Sequence, residues 1–251
     1  MDVGLKRSKF RELHRSGCFL LPNPWDVGSA KRLEAMGFVA LASTSSGSAW
    51  AVGKEDGQLT RDEVLRHIES LCAATDLPLN ADFESGFGSS PPDVFKSVQL
   101  AIETGIAGLS IEDSDGTELF SKTESVDRLR SAREAIDKSG HDVLLVGRSE
   151  GFIRHRPDLK ETIERLVSFK EAGADCLYAP GVTDLNDMKQ IVSIVAPTPV
   201  NALLLPPLTV AGLRAIGVRR ISVGGALARH AWKAFDEAAA AFLKEDILSG
   251  S

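Results

Sequence analysis

Short apolar runs alternate along this chain with longer amphipathic segments. The runs fall at residues 18–22, 38–42, 77–81, 107–111, 143–146, 176–178, 199–202 and 220–223. They are brief and mostly apolar, as parallel strands covered on both faces must be. The longer segments predict helices at 5–16, 27–37, 61–75, 91–104, 125–138, 157–172, 184–194, 208–216 and 226–244. Boundary residues agree with that division. Gly37 stops one helix, Thr60 with Glu63 three residues on reads as a capping box, and Pro91 and Pro157 open two others. Residues 43–48 read as a small polar loop that continues as a longer segment to Gln58.

The result is eight strand–helix units within 251 residues, with no break in composition and no low-complexity linker. That number and length predict a single (β/α)8 TIM barrel domain over residues 1–251. A doubly wound open sheet would show a glycine-rich fingerprint after its first strand, and Asn23-Pro24-Trp25-Asp26-Val27-Gly28 is not one.

A barrel places its chemistry where strands end. Strand 2 and its loop supply Thr44, Ser45, Ser46 and Asp56. Strand 3 supplies Asp82 and Glu84, two acids at i and i+2 that would leave a strand side by side, with Gly86 and Gly88 beyond. Strand 4 adds Glu112 and Asp113, strand 5 Arg148 and Glu150, strand 7 Asn201, and strand 8 Ser222 before Gly224-Gly225. Adjacent carboxylates without His or Cys suit a hard, oxygen-loving dication. Magnesium takes one or two direct carboxylates and keeps waters. Asp82 is then the direct ligand, with Glu84, Glu112 and Asp56 holding its waters. Arg148 faces the same mouth and suits a substrate carboxylate, or serves as counter-ion to the acids. The amides of Thr44, Ser45, Ser46 and Gly47 suit a small anion nest. Gly224-Gly225 reads as tight strand–helix packing or as a phosphate turn. Together these residues predict a site for an α-oxo or α-hydroxy carboxylate reacting through an enolate.

Composition narrows the classes. A net charge of −6 argues against a basic nucleic-acid surface. Cys18, Cys72 and Cys176 are far apart and odd in number, which predicts neither a disulfide framework nor a zinc site and fits a reducing cytoplasmic setting. The first residues lack the apolar run of a signal peptide, and no stretch is long enough to predict a membrane span.

With those residues in view, the chain resembles the isocitrate lyase/phosphoenolpyruvate mutase superfamily over about residues 18–235. Asn23-Pro24-Trp25-Asp26 with Ser29-Ala30 and Ala35-Met36-Gly37-Phe38 resembles its first β–α unit. Asp82-Phe83-Glu84-Ser85-Gly86-Phe87-Gly88 resembles its Asp-x-Asp-x-Gly-Tyr-Gly metal segment. Gly108-Leu109-Ser110-Ile111-Glu112-Asp113 is similar to its Gly-x-x-x-Glu-Asp, Arg148-Ser149-Glu150 to its Arg-Thr-Asp, and Gly173-Ala174-Asp175 matches as written. The resemblance implies Mg²⁺, with Mn²⁺ as substitute, on Asp82, Glu84, Glu112 and Asp56. It also implies Ser45, Ser46 and Arg148 as substrate contacts. It implies a mobile gate after strand 4, and a last helix swapped between paired subunits in dimers or tetramers.

The chain departs from both main branches. The lyases carry a cysteine acid in a Lys-Lys/Arg-Cys-Gly-His segment after strand 4, where this chain has Ser114-Asp115-Gly116-Thr117-Glu118. The mutase gate resembles Leu-Phe-Pro-Lys-Thr-Asn, and here Leu119-Phe120-Ser121-Lys122-Thr123-Glu124 follows an insertion. Lyases place Glu, and mutases His, after strand 6, where Pro180 aligns. The first reading is therefore a Mg²⁺-dependent carbon–carbon lyase, decarboxylase or hydrolase. Its catalytic candidates are Arg148, Glu112 and Lys122, with water or a loop group such as Lys122 as proton donor. Its substrate contacts are Thr44, Ser45, Ser46, Gly47, Arg148 and Asn201. The alternatives are P–C chemistry on phosphoenolpyruvate or a phosphonate, and an oxo-acid binder without turnover.

Overall fold

The computed structural model describes the backbone of residues 1–249 and the side chains of residues 1–244. Eight strands run β1 Phe19–Leu21, β2 Leu41–Ala42, β3 Leu79–Asp82, β4 Gly108–Glu112, β5 Leu144–Arg148, β6 Cys176–Tyr178, β7 Val200–Leu203 and β8 Arg220–Ser222. The helices are α1 Val3–Leu13, α2 Val27–Ala35, α3 Ser45–Ala51, α4 Arg61–Ala74 and α5 Pro91–Glu103. They continue with α6 Lys122–Ser139, α7 Leu159–Glu171, α8 Leu185–Val195, α9 Val210–Ala215 and α10 Ala226–Ser249. All strand pairs are parallel, in the order β1-β8-β7-β6-β5-β4-β3-β2. At the remaining seam the Ala42 N–H donates to the Pro22 carbonyl at 3.0 Å. This is the (β/α)8 barrel that the alternating pattern predicts.

The two faces of each strand have different fates, because successive side chains point opposite ways. Leu41, Leu79, Ala81, Leu109, Ile111, Leu145, Leu177, Val200, Ala202 and Ile221 join the helices in one continuous outer core. The alternate residues face the barrel axis. There Phe19, Leu21, Ala40, Ala42 and Leu144 form a small apolar floor, closed from below by Phe10 of α1. Gly108 is required at this level, since a Cβ there would lie 2.8 Å from the Phe10 ring and 3.0 Å from Asn80 Oδ1.

α1 is more than a polar lead-in. Lys6 Nζ donates to the Cys72 and Thr75 carbonyls at 2.8 and 2.6 Å, and Arg7 to those of Ile102 and Ile106 at 2.8 and 3.0 Å. These cations meet carbonyls at and just beyond the C-terminal ends of α4 and α5, where intrahelical partners run out. Residues 45–51, expected as loop, are helical. Thr44 caps them by accepting from the Gly47 N–H. Two serines and a glycine give a weak local helix signal, and packing overrides it. A Cβ on Gly47 would meet Thr44 Cγ2 at 2.7 Å and Trp25 Cβ at 2.9 Å. α6 starts three residues before the expected 125 because Ser121, not a later residue, accepts from the Glu124 N–H.

Candidate active site

β3 delivers Asp82 to the C-terminal mouth, and the site is assembled around its carboxylate. The Asp82 N–H donates to Ser43 Oγ at 2.8 Å, and the Ser45 N–H, at the start of α3, donates to Asp82 Oδ2 at 3.1 Å. The anion that the Ser45 amide holds is therefore this carboxylate. The Gly47 amide is likewise engaged, on Thr44 Oγ1 at 3.4 Å. Two of the four amides expected to form an open nest over residues 44–47 are thus engaged within the chain.

Arg148 closes β5 and reaches three acids. Its Nη1 donates to Asp82 Oδ1 at 3.1 Å and lies 3.3 Å from Glu112 Oε2. Its Nε and Nη2 fork onto Glu150, with Nη2 to Oε2 at 3.2 Å. Glu150 is fixed in turn. Its N–H donates to Asp113 Oδ1 at 2.7 Å, and Asp113 Oδ2 accepts from Arg165 Nη1 at 3.2 Å. In this arrangement Arg148 is the acids' counter-ion.

Glu84 is reached by a different route from the one its spacing suggested. β3 ends at Asp82, and Glu84 lies beyond it at φ 46°, a left-handed conformation uncommon outside glycine. A turn, not strand alternation, carries it. Burial, then the Asp82 and Asp56 charges, push its carboxyl up to about 7. Glu112 is pushed well above the carboxylate range, first by burial and then by Glu150 and Asp82 against the pull of Arg148. Burial works against the Arg148 cation, but Glu150, Glu112 and Asp82 outweigh it and hold its proton more tightly than usual.

The mouth thus gathers more buried carboxyl groups than Arg148, joined by Arg154 at 3.8 Å from Glu112 and 3.6 Å from Glu150, can pair, and every one of these groups is a hard oxygen donor. That donor set fits a dication. Among the described residues no three Asp, Glu, His or Cys side chains are placed to hold a metal by themselves. A dication here would take one or two carboxylates and keep waters, the habit of magnesium.

A cavity of about 350 Å³ opens beside these groups. Thr44, Ser45, Ser46, Asp56, Asp82, Arg148 and Asn201 line it, whereas Gly47, Glu84 and Glu112 are set back from its wall. Lys122 is not brought to the site. It is half exposed at the start of α6, and its Nζ lies 3.7 Å from Glu164 on α7. The Gly224-Gly225 turn is occupied by packing. Asn23 Oδ1 accepts from the Val223 and Gly224 N–H groups at 3.0 and 2.9 Å. A Cβ on Gly225 would lie 2.6 Å from Ser46 Oγ.

Sequence reasoning missed Asn80, Tyr178 and Arg220, which also line the cavity. The usable signal was parity. Asn80 is two residues before Asp82, and Arg220 two before Ser222, so each shares its neighbour's inward face. Burial pushes the Tyr178 phenol up to about 12 against the pull of Arg148, and its ring lies 5.4 Å from the Arg148 guanidinium.

Fold and site together define an acid-mouthed (β/α)8 barrel. The sequence model of the family described as phosphoenolpyruvate phosphomutase matches residues 10–243. The chain belongs to this family, within the isocitrate lyase/phosphoenolpyruvate mutase superfamily. It is 31% identical over 217 residues to an uncharacterized protein of Mycobacterium tuberculosis H37Rv, covering 86% of this chain and 81% of that one. It is 34% identical over 170 residues to 2-methylisocitrate lyase of Escherichia coli K12, covering 63% of this chain and 56% of the lyase. A crystal structure from Burkholderia cenocepacia J2315, described as a lyase/mutase, superposes with a TM-score of 0.91 at 42% identity, over 95% of this chain and 87% of that one.

Proposed function

We propose that this chain is a Mg²⁺-dependent enzyme that breaks or forms a C–C bond next to an α-oxo or α-hydroxy carboxylate through an enolate. The observation that carries this reading is the excess of buried carboxylate around Asp82 at the mouth of a substrate-sized cavity. Kinship with a 2-methylisocitrate lyase supports it. Asp82 would hold the ion directly, with Asp56, Glu84 and Glu112 on its waters. A dication bound there supplies Lewis-acid stabilisation of the enolate oxygen.

The chain's own residues bind and orient. Arg148, counter-ion to Asp82, Glu112 and Glu150 and kept charged by them, also lines the cavity and would meet the substrate carboxylate from that wall. Ser45, Ser46 and Thr44 line the same wall. With no cysteine acid and with Lys122 remote, we assign Tyr178, which lines the cavity, as the proton donor to the enolate carbon. Its Oη keeps its proton at neutral pH and the residue lines the cavity. The P–C reading retains the family's description as support. It loses the phosphate turn, because Asn23 already satisfies the Val223 and Gly224 amides.

α10 supports pairing of subunits. Phe235 and Phe242 are 62% and 74% exposed along a helix that runs away from the barrel. We read it as the element exchanged with a second copy of the chain.

The deciding experiment is turnover of an oxo- and hydroxy-acid panel with Mg²⁺, alongside phosphorus NMR of phosphonopyruvate. C–C cleavage that disappears in Asp82→Ala and persists in Cys176→Ala is expected. Silence across the acid panel, or conversion of the phosphonate alone, overturns the reading.

A further inference from the structure

Beneath the mouth lies a cation that the proposed chemistry does not use. Arg220 opens β8 and points into the barrel, 3% exposed, on the wall of the same cavity. Barrel interiors are usually filled by branched apolar side chains. Here the layer is polar, and it is built around one guanidinium.

Every partner of that guanidinium is neutral. Nε donates to Asn201 Oδ1 at 3.0 Å, and Nη1 donates to Asn80 Oδ1 at 3.1 Å. His14 Nε2 stands 3.5 Å from Nη1. His14 Nδ1 sits 2.8 Å from the Phe10 carbonyl, which can only accept, so the ring proton is on Nδ1 and Nε2 is an acceptor. Burial, then the Arg220 charge, hold this imidazole down to about 3, so it stays neutral.

The two amides are locked in orientation as well. Asn80 Nδ2 donates to the Ala81 carbonyl at 3.0 Å and Asn201 Nδ2 to Ser222 Oγ at 3.0 Å, which turns both oxygens toward Arg220. Among the described residues no carboxylate pairs with Arg220 and no acceptor meets its Nη2 group. A buried charge without a counter-charge is costly, and proteins keep one where a ligand supplies the opposite sign. Arg148 differs, because three acids already surround it.

We propose that Arg220, held by Asn80 and Asn201, is an anion receptor on the cavity floor. It takes the second carboxylate of a small dicarboxylate whose first carboxylate lies at the mouth. The inference rests on the oxo-acid reading of that mouth and narrows its substrates to dianions. A carboxylate matches the single positive charge, and its two oxygens suit the free Nη2 edge. A phosphate dianion would leave one charge unmatched at this depth. A cavity of about 350 Å³ is at the small end for ligand sites and suits an acid of a few carbons.

The test is calorimetric titration of the Mg²⁺-loaded protein with malate and with lactate, which differ by one carboxylate. Malate is expected to bind about tenfold or more tightly than lactate. In Arg220→Met that ratio falls to about one. Asn80→Asp sets a carboxylate against Nη1 and removes the preference while Arg220 remains, so the test survives if the methionine variant does not fold. A purely structural Arg220 would weaken both ligands alike and leave the ratio unchanged, and that result overturns the proposal. Equal binding of both acids to the unmutated protein also overturns it, while leaving the oxo-acid reading intact. Binding of neither acid removes that reading and this inference together.

Discussion

Glu84→Gln is the perturbation that tests the electrostatics of the mouth most directly. The Glu84 carboxyl is raised to about 7 in the fold, from an ordinary value of 4.5, chiefly by burial and then by Asp82 and Asp56. Below about pH 4.5 the group is protonated in folded and unfolded chains alike and contributes no difference. As pH rises from about 4.5 to 7 the folded chain binds the extra proton, so stability falls with pH, and above 7 the loss is constant. At about 1.4 kcal/mol per tenfold in proton affinity, the loss is roughly 3 kcal/mol. Neighbouring acids titrate together with Glu84, which makes about 2–3 kcal/mol the working figure. Glutamine keeps the shape of the protonated acid and removes the charge. In chelator, urea unfolding should show the variant more stable than the parent by about 2–3 kcal/mol at pH 8 and equal to it near pH 4.5. Magnesium at pH 8 should narrow the gap by stabilising the parent more, since a dication compensates the charge that glutamine lacks. An equal gain at both pH values, or a loss at pH 8, would refute the assignment of Glu84 to an over-charged mouth.

Two further outcomes follow from the geometry. Tyr178→Phe should lower kcat by about 10²-fold or more, with KM changed much less, as removal of a proton donor requires; unchanged kcat on the substrate found in the panel would exclude it. A Phe235→Asp/Phe242→Asp double variant should shift the protein to monomers in light scattering, because those rings are the most exposed large apolar side chains among the described residues of α10, and an unchanged mass would show that the helix makes no subunit contact.

The barrel was legible because its signal is local. Short apolar runs and amphipathic segments alternate through eight units, with boundary signals such as Thr60 with Glu63, and parallel pairing leaves few other ways to cover both faces of such strands. α3 was not legible, since its serines and Gly47 carry weak helix propensity and its stability comes from Trp25 and the capping hydroxyl of Thr44. The residue types of the mouth could also be read in advance, because strand-end position alone nominates Asp82, Glu112 and Arg148.

Their relations could not be read from the sequence. The i, i+2 spacing of Asp82 and Glu84 suggested one strand face, and the fold instead turns the chain through a left-handed residue to bring the second acid back. Lys122 carried the right chemistry for a proton donor, yet it sits on an outer helix beside Glu164. Arg148 offered two roles in the sequence, substrate fork or counter-ion, and only the distances to Asp82, Glu112 and Glu150 reveal how committed its donors are. Arg220 shows the same limit most clearly. In the sequence it is one basic residue in an apolar strand. Its meaning comes from Asn80, Asn201 and His14, which are 140, 19 and 206 positions away. Sequence determines which elements form and which residues face inward, because those follow from periodicity. Only closure of the barrel decides which inward residues meet, and hence which charges are matched and which are left for a ligand.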